Sequence, residues 1–182
     1  MNDDFWVFGY GSLIWRPGFD FAERQPARLE GLHRGFCVIS FVHRGTEETP
    51  GLVVGLDAGG VCQGVAFRVR RGEEEAALAY LRAREQVTFV YREEHRTVQL
   101  SDTGSEVKAL CYVVDQGHRQ YGGALSLEEK ARLVCQGHGR SGASRDYLES
   151  LLASLSEMGI HDDGLARLHD RVRDMALPAE TL

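Results

Sequence analysis

A chain of 182 residues is about one domain's worth at roughly 150 residues per domain, and at this size roughly 70% of the unfolded chain's surface can be buried, so a core needs no metal or disulfide to support it. Lys plus Arg number 21 against 27 Asp plus Glu, a net charge of −6 at pH 7, which argues against general affinity for nucleic acid or an anionic membrane surface. Hydrophobic residues at 43% and charged residues at 26% exclude wholesale disorder, and no apolar run approaches the ~20 residues that a membrane-spanning helix needs.

The chain opens Met1-Asn2-Asp3-Asp4, acidic where a secretion signal wants positive charge. Phe5–Phe8 is a short apolar strand that stops at Gly9, and Phe36–His43 is aromatic and β-branched, again a strand pattern. Leu52–Leu56, Val61–Val69, Thr88–Tyr91 continuing through Leu100, and Val107–Val114 complete the predicted strands. Turn signals at Gly45-Thr46, Asp57-Ala58-Gly59-Gly60 and Asp102-Thr103-Gly104-Ser105 separate several of them. A first helix is predicted over Glu73–Glu85, opening with three glutamates that suit the positive end of a helix dipole.

The last third is predicted helical. Ser126-Leu127-Glu128-Glu129 is a capping box, with Leu127, Ala131 and Val134 on one face behind it and Gly137 and Gly139 as the stop. Ser144 or Asp146 is the expected cap of the next helix, whose Tyr147, Leu148, Leu151, Leu152, Leu155 and Met158 repeat at helical spacing. Asp162 or Asp163 starts the last helix, with Leu165, Leu168, Val172 and Met175 inward and Pro178 ending it. Strands first and helices later give an α+β domain with a largely antiparallel sheet, read as one domain over residues 1–182. The four cysteines (Cys37, Cys62, Cys111, Cys135) form no CxxC pair and are expected to be reduced core residues of a cytoplasmic protein. The histidines are scattered without paired ligand spacing, so no metal site is expected.

Three stretches can carry chemistry. In Phe8-Gly9-Tyr10-Gly11-Ser12-Leu13-Ile14-Trp15 an apolar strand runs into two glycines one residue apart, a turn able to aim successive N–H groups at an anion or a developing oxyanion. The same residues also fit a plain tight turn or bulge. With Ile14 where a third glycine belongs and no Gly-Lys following, the stretch is neither a dinucleotide fingerprint nor a P-loop. In Tyr80-Leu81-Arg82-Ala83-Arg84-Glu85, Leu78, Leu81 and Glu85 share a helix face, so Glu85 extends the buried side, where burial raises a carboxylate's pKa and makes it a competent acid or base. A solvated glutamate paired with Arg82 or Arg84 fits the same spacing. In Arg34-Gly35-Phe36 through Ser40 and His43-Arg44-Gly45, charged residues flank a strand and Arg34 is placed to grip a carboxylate; a strand with polar ends is the plainer alternative.

Taken in order, these stretches resemble the ChaC-like γ-glutamylcyclotransferases. The resemblance rests on Val7–Trp15, on Arg34-Gly35-Phe36…Ser40…His43-Arg44-Gly45, and on Pro50-Gly51…Val53 with Cys62-x-Gly64-Val65-Ala66. It continues through Tyr80-Leu81-x-x-Arg84-Glu85 and Tyr121-x-Gly123 to Gly139-Arg140-Ser141-Gly142…Asp146-Tyr147-Leu148, and so covers nearly the whole chain. It implies a small, mostly antiparallel β-barrel with flanking helices, no cofactor, and a cytoplasmic enzyme that turns over glutathione to 5-oxoproline and Cys-Gly with no nucleic-acid or membrane partner. By the same resemblance Glu85 is the catalytic glutamate, and Val7, Phe8, Gly9, Tyr10, Gly11, Ser12 and Leu13 bind the γ-glutamyl group; Arg34 and Tyr147 are expected to line the pocket. The chain departs from the family at Ala143-Ser144, where Pro-Asn is common, and at Gln86-Val87-Thr88-Phe89-Val90, where many relatives have a glycine-rich stretch. A cyclotransferase for other γ-glutamyl compounds, or a non-catalytic module sensing such a metabolite, are the alternatives.

Overall fold

The computed structural model of the protein describes residues 4–176, so the acidic opening Met1-Asn2-Asp3 and the expected stop at Pro178 lie outside the described residues. Strand β1 (Trp6–Gly9) is buried at all its positions and leads into a 3₁₀ turn, Ser12–Ile14. Strands β2 (Phe21–Ser40) and β3 (Gly51–Val69), helix α1 (Glu74–Glu85), and strands β4 (Tyr91–Leu100) and β5 (Glu106–Val114) follow. The chain continues as α2 (Leu127–Gln136), the two-residue strands β6 (His138–Gly139) and β7 (Gly142–Ala143), α3 (Ser144–Glu157) and α4 (Asp163–Ala176).

Five strands close into a barrel in the order β1-β3-β2-β4-β5. Closure leaves no unpaired strand edge. The pairs β1–β3, β2–β4 and β4–β5 are antiparallel, whereas β1 and β5 run parallel with Trp6 opposite Ala109 and Val7 opposite Leu110. The α+β barrel with flanking helices is thus as expected, with one parallel pair in an otherwise antiparallel set of these registers. The chain forms two compact units, one from the chain up to Arg34 with Gly55–Gly117, the other from Gly35–Val54 with the chain from His118 onward.

In the first unit, Val7, Leu13, Val69, Ala77, Leu81, Leu110 and Tyr112 make one hydrophobic cluster. It joins β1, the 3₁₀ turn, α1 and β5, which fixes the end of β1 against the inner face of α1. In the second unit, the capping box of Ser126 and Glu129 starts α2 as expected. Arg171 on α4 forks onto Glu128 of α2, at 2.6 and 3.0 Å, above a core that includes Ala131, Val134, Leu148, Leu151, Leu155, Leu168 and Val172.

Several expectations are corrected. Strand β2 begins at Phe21 rather than Phe36: Gln25, Ala27 and Leu29 face inward between exposed or half-buried Arg24, Pro26, Arg28 and Glu30, a period-two pattern hidden by its polar members. The Asp57–Gly60 turn signal does not end a strand, because β3 runs through it with Gly59 and Gly60 at φ +90° and +74°. Residues 88–90 precede β4 rather than opening it. Ser144 caps nothing: Ala143 is the N-cap without a side-chain bond, while the buried Ser144 hydroxyl accepts the Leu52 N–H at 3.1 Å and donates to the Leu52 carbonyl. Asp162 is the cap of α4, its carboxylate accepting the Leu165 N–H at 3.0 Å. Leu127 is 44% exposed and Cys135 is exposed, so neither belongs to the core; Cys37, Cys62 and Cys111 are buried free thiols.

Candidate active site

The turn Gly9-Tyr10-Gly11-Ser12 at the end of β1, the glycine hairpin of this site, is built by close backbone packing. A Cβ on Gly64 of β3 would lie 2.4 Å from the Gly9 carbonyl oxygen and 2.9 Å from the Phe8 ring, so β3 can reach the end of β1 only through a glycine. At Gly9 itself a Cβ would stand 3.1 Å from the Phe67 ring and 3.2 Å from Leu13 Cβ. The Ile14 N–H donates to the Gly11 carbonyl at 2.9 Å and the Arg16 N–H to the Ser12 carbonyl at 2.8 Å, closing the 3₁₀ turn directly after the hairpin. The first N–H groups of such a turn point out of it, away from its own carbonyls.

Side chains brace this hairpin from behind. The buried Tyr10 hydroxyl donates to the Tyr112 carbonyl of β5 at 2.7 Å. Arg34, 7% exposed, donates through Nε to the Tyr10 carbonyl at 2.6 Å and through Nη2 to the Gln63 carbonyl. Its guanidinium therefore works on the protein's own backbone, holding the hairpin to β2 and β3.

Helix α1 brings the carboxylate. Ala77 and Leu81 are buried in the cluster, and Glu85, four residues after Leu81, continues that face with its side chain 17% exposed. Burial pushes the Glu85 carboxyl above the ordinary carboxylate range, and the Arg84 guanidinium, with Nε 3.3 Å from Oε1, offsets part of that rise. Of the two arginines that spacing offers Glu85 as partners, Arg82 goes instead to Glu93 of β4, with a fork at 2.8 and 3.0 Å. Arg84 reaches the hairpin: Nη2 donates to Ser12 Oγ at 2.7 Å and Nη1 to the Arg16 carbonyl at 2.5 Å.

Val7 through Leu13, Arg34 and Glu85 all lie in the first unit. Tyr147 lies in the second, on α3, 7% exposed, its ring 5.8 Å from that of Phe36 and 5.4 Å under the Arg44 guanidinium. In that unit Arg44 Nη1 donates to the Ala143 carbonyl at 3.2 Å and His43 Nδ1 lies 3.0 Å from Ser141 Oγ, so the His43-Arg44 and Arg140–Ala143 stretches meet. Sequence reasoning missed the bracing of the hairpin by Gly64, Tyr112 and Arg34. For Gly64 a signal existed, a lone glycine inside a strand pattern; a tyrosine in a strand, as at Tyr112, carries none.

A family profile described as ChaC-like protein matches residues 5–175. The chain belongs to the ChaC-like family. It is 36% identical over 160 residues to the glutathione-specific γ-glutamylcyclotransferase of Escherichia coli (strain K12), covering 88% of this chain and 69% of that one. It is 34% identical over 175 residues to the human glutathione-specific γ-glutamylcyclotransferase 1, covering 93% of this chain and 79% of the other. The fold matches the crystal structure of a yeast γ-glutamyl cyclotransferase specific to glutathione with a TM-score of 0.86 at 24% identity, over 95% of this chain and 97% of that one. This ChaC-like chain therefore carries the family's barrel together with a half-buried glutamate whose neighbour, Arg84, bonds to Ser12 after the glycine pair. Among the described residues no helix is long and apolar enough to cross a membrane.

Proposed function

We propose that this protein is a glutathione-specific γ-glutamylcyclotransferase that releases 5-oxoproline and Cys-Gly, with Glu85 as its general acid and base and with no cofactor. The observation that carries this reading is the Glu85 carboxyl, sheltered on the core-facing side of α1, with a pKa raised by burial, and tied through Arg84 to Ser12 of the hairpin. The two curated relatives above bear the same activity in their names. The family profile runs across both compact units, which supports reading residues 1–182 as one functional domain, acting in cytoplasmic glutathione turnover.

The reaction needs one proton carrier and one oxyanion site. The α-ammonium of the γ-glutamyl unit gives a proton to Glu85, and the freed amine attacks its own γ-carbonyl carbon, closing a five-membered ring. A carboxyl whose pKa is raised by burial is better suited to accept and return that proton than an ordinary glutamate. The carbonyl oxygen becomes an oxyanion for which the N–H groups of the Tyr10–Leu13 stretch are the donors; losing one such donor typically costs ~10²–10³ in rate. As the ring forms, the amide bond to cysteine breaks; Glu85 hands its proton to the departing amine, the ring nitrogen gives up its second proton to the same amine, and Cys-Gly leaves as the ammonium with no water consumed. Val7, Phe8, Gly9, Gly11 and Leu13 supply the apolar wall and close backbone that hold the folded-back conformer. Arg34 serves the hairpin from behind.

Incubating the purified chain with reduced glutathione tests the reading: 5-oxoproline and Cys-Gly should appear in equal amounts, and their absence rejects it. A second reading, a cyclotransferase for other γ-glutamyl amino acids or amines, is favoured by one observation. Directly after Glu85, Val87 is 43% exposed and Phe89 is 70% exposed with φ +59°, a left-handed backbone that a bulky residue rarely holds. A panel of γ-glutamyl amino acids separates the two. If none is turned over yet glutathione binds, the chain is a sensing module instead.

A further inference from the structure

We propose that Arg84 is a positioning residue of this site: its guanidinium fixes the 3₁₀ turn behind the glycine hairpin to the last turn of α1 and keeps a positive charge beside the Glu85 carboxylate without capturing it. The proposal rests on the cyclotransferase reading and adds the part that sets the spacing between the base and the oxyanion donors.

The geometry is that of a clamp. Nη2 donates to Ser12 Oγ at 2.7 Å, at the start of the 3₁₀ turn, and Nη1 donates to the carbonyl of Arg16, just past its end, at 2.5 Å. Nη1 also lies 3.1 Å from the Tyr80 hydroxyl, one turn back on α1, which steadies the arginine from its own helix. A single planar fork thus grips both ends of the turn that follows Gly9–Gly11. The fork geometry belongs to arginine, since an ammonium group is a point charge with no fixed plane. The side chain is 17% exposed; its bond to Ser12 is part-buried, whereas those to Arg16 and Tyr80 are exposed.

What Arg84 leaves undone matters as much. Nε stands 3.3 Å from Glu85 Oε1, near enough for its charge to be felt, while its shorter hydrogen bonds go to the loop. Arg82 shows the contrast, since it forks onto Glu93 and takes both of that carboxylate's oxygens. A base clasped in that way would have its oxygens occupied; Glu85 keeps acceptor capacity for a ligand's ammonium. Among the described residues, charged and titratable groups around the site include Arg84 and Tyr80 on α1, Tyr10 and Arg16 on the loop, Tyr112 on β5, Tyr91 packed on the same cluster, and the Arg82–Glu93 pair beyond it. Burial first, then the charges of Glu93 and Glu85, push the Tyr112 hydroxyl pKa up, so that group stays protonated. Arg84 is the cation that lowers the Glu85 pKa, and without it burial acts on the carboxyl unopposed.

The test compares Arg84→Gln, Arg84→Lys and Ser12→Ala with the wild-type chain, checking each for native melting before kinetics. In Arg84→Gln, kcat for glutathione should fall on the order of 10- to 100-fold, the penalty of a slightly misplaced site, while KM changes less. The acid limb of its kcat/KM profile should move to higher pH, because more hydroxide is needed to ionise Glu85. Arg84→Lys should restore the limb toward its wild-type position without restoring kcat, since it returns charge but not the fork. Ser12→Ala should lower kcat several-fold and leave the limb where it is. Direct titration of the Glu85 carboxyl in protein labelled with 13C-carboxyl glutamate, with Glu85→Gln to assign the signal, gives a readout that needs no turnover. An unchanged Glu85 midpoint in Arg84→Gln overturns the proposal, as does a wild-type kcat in that variant. If the wild-type chain makes no 5-oxoproline, the cyclotransferase reading fails and the titration alone decides the role of Arg84.

Discussion

Arg82 and Arg84 leave the same turn of α1 and meet two carboxylates in opposite ways. Glu93 on β4 receives the whole Arg82 fork at 2.8 and 3.0 Å and also accepts the Tyr112 hydroxyl at 3.1 Å. The Arg82 hydrogen bond is the main cause that holds its carboxyl below the ordinary range, and the Tyr112 bond adds to it. Glu85, five residues before the end of the connection to β4, has only a 3.3 Å approach from Arg84 Nε, and burial wins, pushing its carboxyl up. One glutamate is neutralised to hold a helix to a sheet. The other is sheltered without full neutralisation, which costs stability and makes sense where a proton has to be moved.

The comparison can be sharpened by moving the carboxyl rather than removing it. Glu85→Asp draws it back by about 1.5 Å, one bond of backbone length, and activity should drop on the order of 10²-fold, as for other small misplacements of a reacting group. The melting temperature should stay close to wild type. Thermal melts with 5-oxoproline assays on the same preparation check both, and an Asp variant of wild-type activity would break the contrast.

A smaller effect is expected at the other carboxylate. Glu93→Gln should keep glutathione turnover within a factor of a few while losing stability at neutral pH. Because the Glu93 pKa is lowered in the folded chain, its stabilising contribution is present above the unfolded value near ~4.3 and fades as pH falls through the folded value. The gap between wild type and Glu93→Gln should therefore close in acid. For Glu85 the sign is reversed: a raised folded pKa makes ionisation at neutral pH destabilising, so removing the charge should not lower stability there, and any gain should vanish below the ordinary carboxylate range. Melts of both variants across pH 3 to ~8 read out both signs in one series.

How much of this was legible in the sequence differs between the same two regions. The face shared by Leu81 and Glu85 follows from helical spacing, and the buried partner Leu81 is where that spacing puts it. The glycine turn and the α+β class were legible too, from an apolar strand ending in Gly-Tyr-Gly-Ser and from strands preceding helices, while the barrel was implied by the family resemblance. The partner choice of the two arginines was not, because it depends on β4 arriving beside α1, a long-range pairing with no local signal. Strand β2 was half hidden because its inward residues include Gln25 and Arg34, polar groups that a hydrophobic pattern does not count. Ser144 looked like a cap because capping is what a serine before a helix usually does; its bonds to Leu52 are set by tertiary contact.

The most direct test of the central claim is 5-oxoproline release from glutathione by Glu85→Gln, measured at neutral pH beside its melting curve. The account predicts a loss on the order of 10²–10⁴ in kcat, the range expected when a general acid–base group is removed, in a chain that melts no lower than wild type. Turnover near the wild-type rate in a folded Glu85→Gln would contradict it.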